Sequence, residues 1–157
     1  MTKTKFLNLF RQVFRFPLFE KAIASLTRGK SPGAFISHFP ANHYQYPRHS
    51  IREVVRDNIR YRLDLSDAVD WYIYFGFREL SRMKLYSLIK KGDWIFDIGS
   101  NVGDVTLHAA KMVGEKGFVY AFEPDPTNFK RLSDNIGLND FKNIKAINKG
   151  LGNRSGV

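Results

Sequence analysis

Asp93-Trp94-Ile95-Phe96-Asp97-Ile98-Gly99-Ser100-Asn101-Val102-Gly103, followed one helix length later by Phe118-Val119-Tyr120-Ala121-Phe122-Glu123-Pro124-Asp125-Pro126, is the stretch that decides the fold. An apolar run ends in an acid and a glycine-rich turn, a helix intervenes, and a second apolar run ends in another acid. This predicts a βαβ unit whose chemistry sits at the carboxyl ends of both strands, where open α/β sheets bind ligands. Gly99 and Gly103 carry no Cβ, so backbone at the turn can approach a ligand closely. The turn also opens a helix whose unpaired N–H groups can receive an anionic group.

Two cofactor classes use this arrangement, and the residues separate them. A dinucleotide site asks for G-x-G-x-x-G, whereas the spacing here is Gly99-x-x-x-Gly103, with Asn101 at the place of the middle glycine. Asp97 would set a carboxylate close to a diphosphate, which like-charge repulsion disfavours. A cationic amino acid headgroup would be attracted to it, and S-adenosylmethionine has that headgroup and no phosphate. Glu123 then offers two acceptor oxygens to two ribose hydroxyls. The methyl donor is the better reading of the pattern.

At this point the chain resembles the FkbM-type S-adenosylmethionine-dependent methyltransferases. The resemblance is carried by Asp97-x-Gly99-x-Asn101-x-Gly103 and Phe122-Glu123-Pro124-Asp125-Pro126. Upstream it includes Leu63-Asp64-Leu65-Ser66-Asp67, Tyr74-Phe75-Gly76-Phe77-Arg78-Glu79 and Lys91-Gly92-Asp93. Downstream are Phe129, Leu132, Asn135, Leu138-Asn139 and Asn148-Lys149-Gly150-Leu151-Gly152. Ser100 departs from the alanine more usual there. The resemblance implies an α/β, Rossmann-like class I methyltransferase fold, a three-layer sandwich. It also implies O-methylation of a hydroxyl on a glycan, a lipid-linked sugar or a secondary metabolite. The cofactor-binding set is then Asp97, Gly99, Ser100, Asn101, Gly103, Glu123, Pro124 and Asp125. Asp97 orients the cofactor amino group, Asn101 faces its carboxylate and Glu123 holds the ribose. Pro124 and Asp125 border the adenine, whose edge passes residues 148–150. No catalytic base can be named, and no metal is expected.

With 157 residues the chain is long enough for a sizeable core. The resembled fold has seven strands, and only three are legible: 94–98, 118–122 and 144–148. The expectation is a fragment of the catalytic domain, inactive alone, whose third strand presents an open apolar edge. Three segments are expected: a basic helix-and-loop extension over 1–50, a hairpin and helices over 51–92, and the S-adenosylmethionine-binding half over 93–157.

The composition, 43% hydrophobic and 15% aromatic, is that of a globular chain. The absence of cysteine excludes disulfides and thiolate chemistry. No apolar run reaches transmembrane length, and Arg11, Gln12 and Arg15 interrupt any signal-like segment, so a cytoplasmic location is expected. Charge is uneven. Residues 1–60 hold 11 Lys/Arg against 3 acids, net +8, and residues 61–157 hold 14 against 12, net +2. Phe6, Leu9, Phe10, Val13 and Phe14 trace an amphipathic helix that Pro17 ends or kinks, with another turn or two after Lys21. This segment packs on its own domain or lies on an anionic membrane through residues 1–28, at the inner face of the membrane. Nucleic acid is set aside for want of a readout motif.

His38, His43 and His49 match no metal-ligand spacing. Residues 51–65 predict a hairpin turning at Asp57 and Asn58, with Ile59, Tyr61, Leu63 and Leu65 alternating. Ser66 or Asp67 caps the helix that follows, and the aromatic run 71–75 reads as core. A helix over 79–89 ends at Gly92. His108 is placed on the outer face of the helix after Gly103, without a role. Competing with the methyltransferase reading are an NAD-type dinucleotide-binding oxidoreductase and a non-enzymatic docking module.

Overall fold

The computed structural model describes residues 11–153. They form two compact units, one comprising residues up to Arg56 with Leu63–Met83, the other Asp57–Arg62 with the chain from Lys84 onward.

In the first unit a 3-10 turn, Gln12–Arg15, precedes helix α1, Pro17–Thr27. Pro17 stands at the first helical position, where its missing N–H has no intrahelical partner to lose and its fixed φ already suits the helix. The preceding 3-10 turn stops at Arg15 with Phe16 extended, so Pro17 separates the two segments as expected, and the second helix begins at Pro17 itself, earlier than the expected Lys21. Phe6, Leu9 and Phe10 of the expected stripe lie outside the described residues. Glu20, Ile23, Ala24 and Thr27 form the buried face of α1 at i, i+3, i+4 and i+7. Glu20 is the unexpected member: its carboxylate takes Arg52 Nε at 2.7 Å and the Tyr74 hydroxyl at 3.2 Å.

Strands β1 (Ile51–Arg56) and β2 (Ile59–Asp64) pair as a two-stranded sheet. Asp57 at φ 50° and Asn58 at φ 61° supply the two left-handed residues of a tight hairpin turn. Ile59, Tyr61 and Leu63 alternate with exposed positions and are fully buried, as the period-2 pattern requires. Asp67 caps α2, Ala68–Phe75, by accepting from the N–H groups of Val69 and Asp70. Trp71, Tyr74 and Phe75 are buried, and Trp71 Nε1 donates to the Ala41 carbonyl at 2.7 Å. The aromatic run is core. No residue of α3, Leu80–Leu88, is buried.

The second unit carries β3 (Trp94–Ile98), α4 (Asp104–Val113), β4 (Phe118–Phe122), α5 (Pro126–Gly137) and β5 (Ile144–Ile147). The three strands lie parallel in the order β3-β4-β5, with Asp97 opposite Ala121 and Ala121 opposite Ala146. Ala109, Ala110 and Val113 of α4 pack with Val119, and Ile89, Ile95, Phe141 and Ile144 close around them. Strand residues alternate between faces, so Trp94, Phe96 and Ile98 point the other way and are 60–65% exposed. Phe96 stacks at 5.3 Å on Tyr120, which extends this aromatic face onto β4. β5 lies at the edge of the sheet as expected, with its apolar residues half-buried, and the most exposed apolar surface is the face of β3 and β4. No helix among the described residues is long and apolar enough to cross a membrane.

Candidate functional site

The site is built where β3 and β4 end. After β3 the chain turns sharply: the N–H groups of Gly99 and Ser100 both donate to the Phe122 carbonyl, at 2.9 and 3.0 Å. Ser100 Oγ donates back to the Asp97 carbonyl at 2.9 Å. Gly99, Asn101 and Gly103 take φ of 81°, 48° and 93°, and such left-handed backbone comes cheaply only to Gly and, less so, to Asn. Gly103 has a second constraint, because a Cβ there would lie 2.6 Å from Leu132 Cδ1 on α5. At Gly99 a Cβ would meet nothing within 4 Å, so the turn faces open space.

After β4 comes Glu123, 5% exposed. Its Oε2 accepts the Asn101 N–H at 2.8 Å and its Oε1 the Asp125 N–H at 3.0 Å. One carboxylate therefore ties the first loop to the second. Each of its oxygens keeps a lone pair for a further donor. Asp125 caps α5 by accepting from Asn128 N at 2.8 Å, with Pro126 at the first helical position. Pro124 and Asp125 are exposed at the rim. The side-chain oxygen of Asn101 is buried without a hydrogen-bond partner among the described residues.

Asp97 accepts from Thr106 Oγ1 of α4 at 2.5 Å. Burial raises its pKa above the ordinary carboxylate value, opposed by hydrogen bonds from Thr106 and Ser100 and helped by the charge of Asp104. Gly99, Ser100, Asn101, Gly103, Glu123 and Asp125 are thus drawn into one constellation, which Asp97 joins through its carbonyl. The ligand such a site favours carries N–H or O–H donors, because a buried carboxylate, an unpartnered amide oxygen and a Cβ-free opening meet there.

Several residues that hold this constellation were not read as doing so. Asn135, fully buried on α5, donates to the Val102 carbonyl at 2.9 Å and accepts from Arg62 N–H at 2.8 Å, bracing the first loop from behind. Asn148 donates to the carbonyls of Glu123 and Pro124 at 2.7 and 3.2 Å. Both stood among the residues that carry the sequence resemblance, and Asn148 was expected along the adenine edge, but neither was assigned this bracing role. His108 is not on an outer face. It is half-buried, stacks on Tyr86 at 5.1 Å, and its Nδ1 lies 2.9 Å from the Asp104 carbonyl and 3.4 Å from Asp104 Oδ1. Tyr61 Oη donates to the same carboxylate at 3.1 Å. Burial alone would lower the His108 pKa, but Asp104, by hydrogen bond and charge, raises it above the ordinary value.

Comparison with known proteins places this geometry. A curated relative, a probable cobalt-precorrin-6B C(15)-methyltransferase (decarboxylating) of Sulfolobus acidocaldarius, is 35% identical over 68 residues, covering 43% of this chain and 33% of that protein. The crystal structure of P. horikoshii TYW2 in complex with MeSAdo matches with a TM-score of 0.50 and 25% identity, over 67% of this chain and 38% of that one. M. jannaschii TYW2 in complex with AdoMet matches with a TM-score of 0.50 and 22% identity, over 65% and 44%. The chain therefore spans less than half the length of these relatives. Their fold, the class I methyltransferase fold, is the one described above. The resemblance read from the sequence holds at the level of S-adenosylmethionine-dependent methyltransferases, but not at the level of FkbM. The acceptor expectation is overturned as well. The match to the TRM5/TYW2 methyltransferase domain stands against a sugar or lipid-sugar acceptor and against setting nucleic acid aside. The model of the TRM5/TYW2 methyltransferase domain matches residues 53–153, about two thirds of the sequence, and the chain belongs to that family.

Proposed function

We propose that this chain forms the S-adenosylmethionine-binding part of a methyltransferase that acts on RNA. The observation that carries the reading is Glu123: a buried carboxylate, held by an N–H from each loop, with one lone pair left on each oxygen. Two adjacent ribose hydroxyls are the donors that fit it. The unpartnered oxygen of Asn101 suits the methionine end, where an ammonium offers donors. Asp97 biases that end toward a cation, and the open space at Gly99 admits the backbone-hugging part of the ligand. Pro124 and Asp125 border the base. A dinucleotide fits less well, because its diphosphate would meet Asp97 and Glu123 with no cation on either loop.

When bound, S-adenosylmethionine supplies a methyl group activated by the sulfonium it leaves. The work of this chain's residues is positional: fixing one reactant in a single orientation removes much of the entropy cost of the transfer. No residue described here is assigned as general base. The RNA acceptor is supported by membership of the TRM5/TYW2 family and by the TYW2 likeness. The division into a basic extension over 1–50, a connecting segment over 51–92 and a cofactor unit over 93–157, and the cytoplasm as the place of action, belong to the same proposal.

Titration calorimetry of the full chain with S-adenosylhomocysteine and with NAD tests the cofactor. Binding of the first and not the second is expected. Glu123→Ala should abolish it with the circular dichroism spectrum intact, and unchanged affinity in that variant refutes the reading. For the acceptor, transfer of a labelled methyl group to a sugar, and not to RNA, by a longer form of the protein would reject RNA.

A further inference from the structure

We propose that the first unit carries a second, separate site: a cavity that holds a nucleotide of single-stranded RNA, phosphate and base together. This inference rests on the RNA reading above and adds to it a place on the protein.

The cavity measures about 740 Å³ and is lined by Gln12, Arg15, Phe16, Tyr46, Ser50 and Arg52, with Val13 and Pro47 completing the wall. Its chemistry is one-sided. Among the described residues no acidic side chain lines it, while two guanidiniums do. Arg52 is pinned by Glu20, through Nε at 2.7 Å and a terminal nitrogen at 3.3 Å, so its position is set before any ligand arrives. Its other terminal nitrogen donates to the Ile51 carbonyl at 3.0 Å, and each terminal nitrogen retains an N–H. Arg15 lies with its guanidinium 5.5 Å from the centre of the Tyr46 ring, a stacking that leaves its planar fork of donors unspent.

Tyr46 lines the cavity with its ring and is 6% exposed. Burial, then the negative charge of Glu20 and a hydrogen bond to it, pushes the Tyr46 pKa up, so the hydroxyl belongs to the Glu20 cluster and the ring faces Arg15. The surrounding sequence adds long-range attraction: residues 11–56 hold eight Lys/Arg and two acids. Donors and cations together call for an acceptor-rich anion, and the phosphodiester is that group. Phe16, exposed at the cavity mouth, provides a face on which a base can stack, which a lipid headgroup does not require. A paired base would hide that face, so the single strand is the favoured form.

The test is fluorescence anisotropy of a labelled single-stranded 20-mer RNA of mixed sequence with the full chain, at several salt concentrations. Arg15→Glu should weaken binding by about tenfold or more, the scale of one charged hydrogen bond. It should also flatten the salt dependence by about 0.7 in log–log slope, the value for one phosphate contact on a single strand. Phe16→Ala, which removes the exposed ring on which a base stacks, should weaken binding about fivefold or more. Should Arg15→Glu alter the circular dichroism spectrum, Arg15→Gln replaces it. Both variants should bind S-adenosylhomocysteine like the parent, which separates this site from the cofactor site. Unchanged RNA affinity in both overturns the proposal while leaving the methyltransferase reading intact. So does a parent chain that sediments with phosphatidylserine vesicles in an Arg15-dependent way but shows no Arg15-dependent RNA binding.

Discussion

Replacing Glu123 by Gln asks whether one carboxylate really joins the two loops. The side chain keeps its length and volume, so packing is unchanged and only the hydrogen bonding differs. At present Oε2 takes the Asn101 N–H at 2.8 Å and Oε1 the Asp125 N–H at 3.0 Å. An amide presents one oxygen and one NH2, so one of the two backbone donors must face another donor in a site 5% exposed. Losing a hydrogen bond to a charged acceptor costs roughly 1.5–3 kcal/mol, and the surviving bond loses its charge assistance. The expected loss of folding stability is therefore about 2–3 kcal/mol, read as a lower urea midpoint at unchanged slope. Glu115→Gln, on an exposed acid of the same unit, is the control and should fall within about 0.5 kcal/mol of the parent. A loss for Glu123→Gln no larger than that of the control would refute the brace. The ligand role separates from the brace by calorimetry in the same sample. A variant that is destabilised yet binds S-adenosylhomocysteine with parental affinity would make Glu123 a structural strut alone.

Three further outcomes follow from the same geometry. Gly103→Ala should cost about 1–3 kcal/mol from overpacking against Leu132, and Gly99→Ala only the 1–2 kcal/mol or so of left-handed backbone, while lowering S-adenosylhomocysteine affinity; urea midpoints and calorimetry check both. Asp97→Asn should raise the stability of the ligand-free chain at pH 7, because the folded state holds the carboxyl above its ordinary pKa and so penalises the ionised form. That gain should vanish as pH falls through the raised value toward 3.8, and a destabilised variant at pH 7 would contradict the burial argument. His108 is raised above 6.5, so its contribution is complete below that pH and is lost as pH rises through the folded value. His108→Gln should flatten the decline in urea midpoint between pH 6 and pH 9 that the parent shows.

What the sequence disclosed was whatever its chemistry keeps local. A strand ending in Asp97, a turn spaced Gly99-x-x-x-Gly103 and a second strand ending in Glu123 each fit within a few residues, and the βαβ unit formed as read. Asp57 and Asn58 likewise announced their own turn. Glu20 was not legible, because between Phe19 and Lys21 it looks like any surface acid, and only Arg52 and Tyr74, distant in sequence, make its burial tolerable. His108 was misplaced for the same reason, since Asp104 is local but Tyr61 is not. Pro17 was read as the end of one helical segment, which it is, but its missing N–H also begins the next helix, four residues before the expected Lys21.

The error about the acceptor has a different origin, and it lies in what the motif physically does. On the proposed reading, Gly99, Asn101, Gly103 and Glu123 address the part of the ligand that enzymes of this fold have in common, so they would constrain the cofactor and leave the acceptor open. Acceptor choice must be written in surfaces that the motif does not include. On the site proposed above the uneven charge is the readable trace of such a surface, although its amphipathic periodicity alone pointed to packing on its own domain or to an anionic membrane. The structure changes that weighting by giving the charge a shape. Two arginines line one cavity, with Arg52 fixed in advance by Glu20 and Arg15 lying over the Tyr46 ring. A membrane needs only a cationic stripe, and pre-positioned donors would gain nothing there. A nucleotide phosphate rewards donors held in place, because less side-chain entropy is lost when it binds.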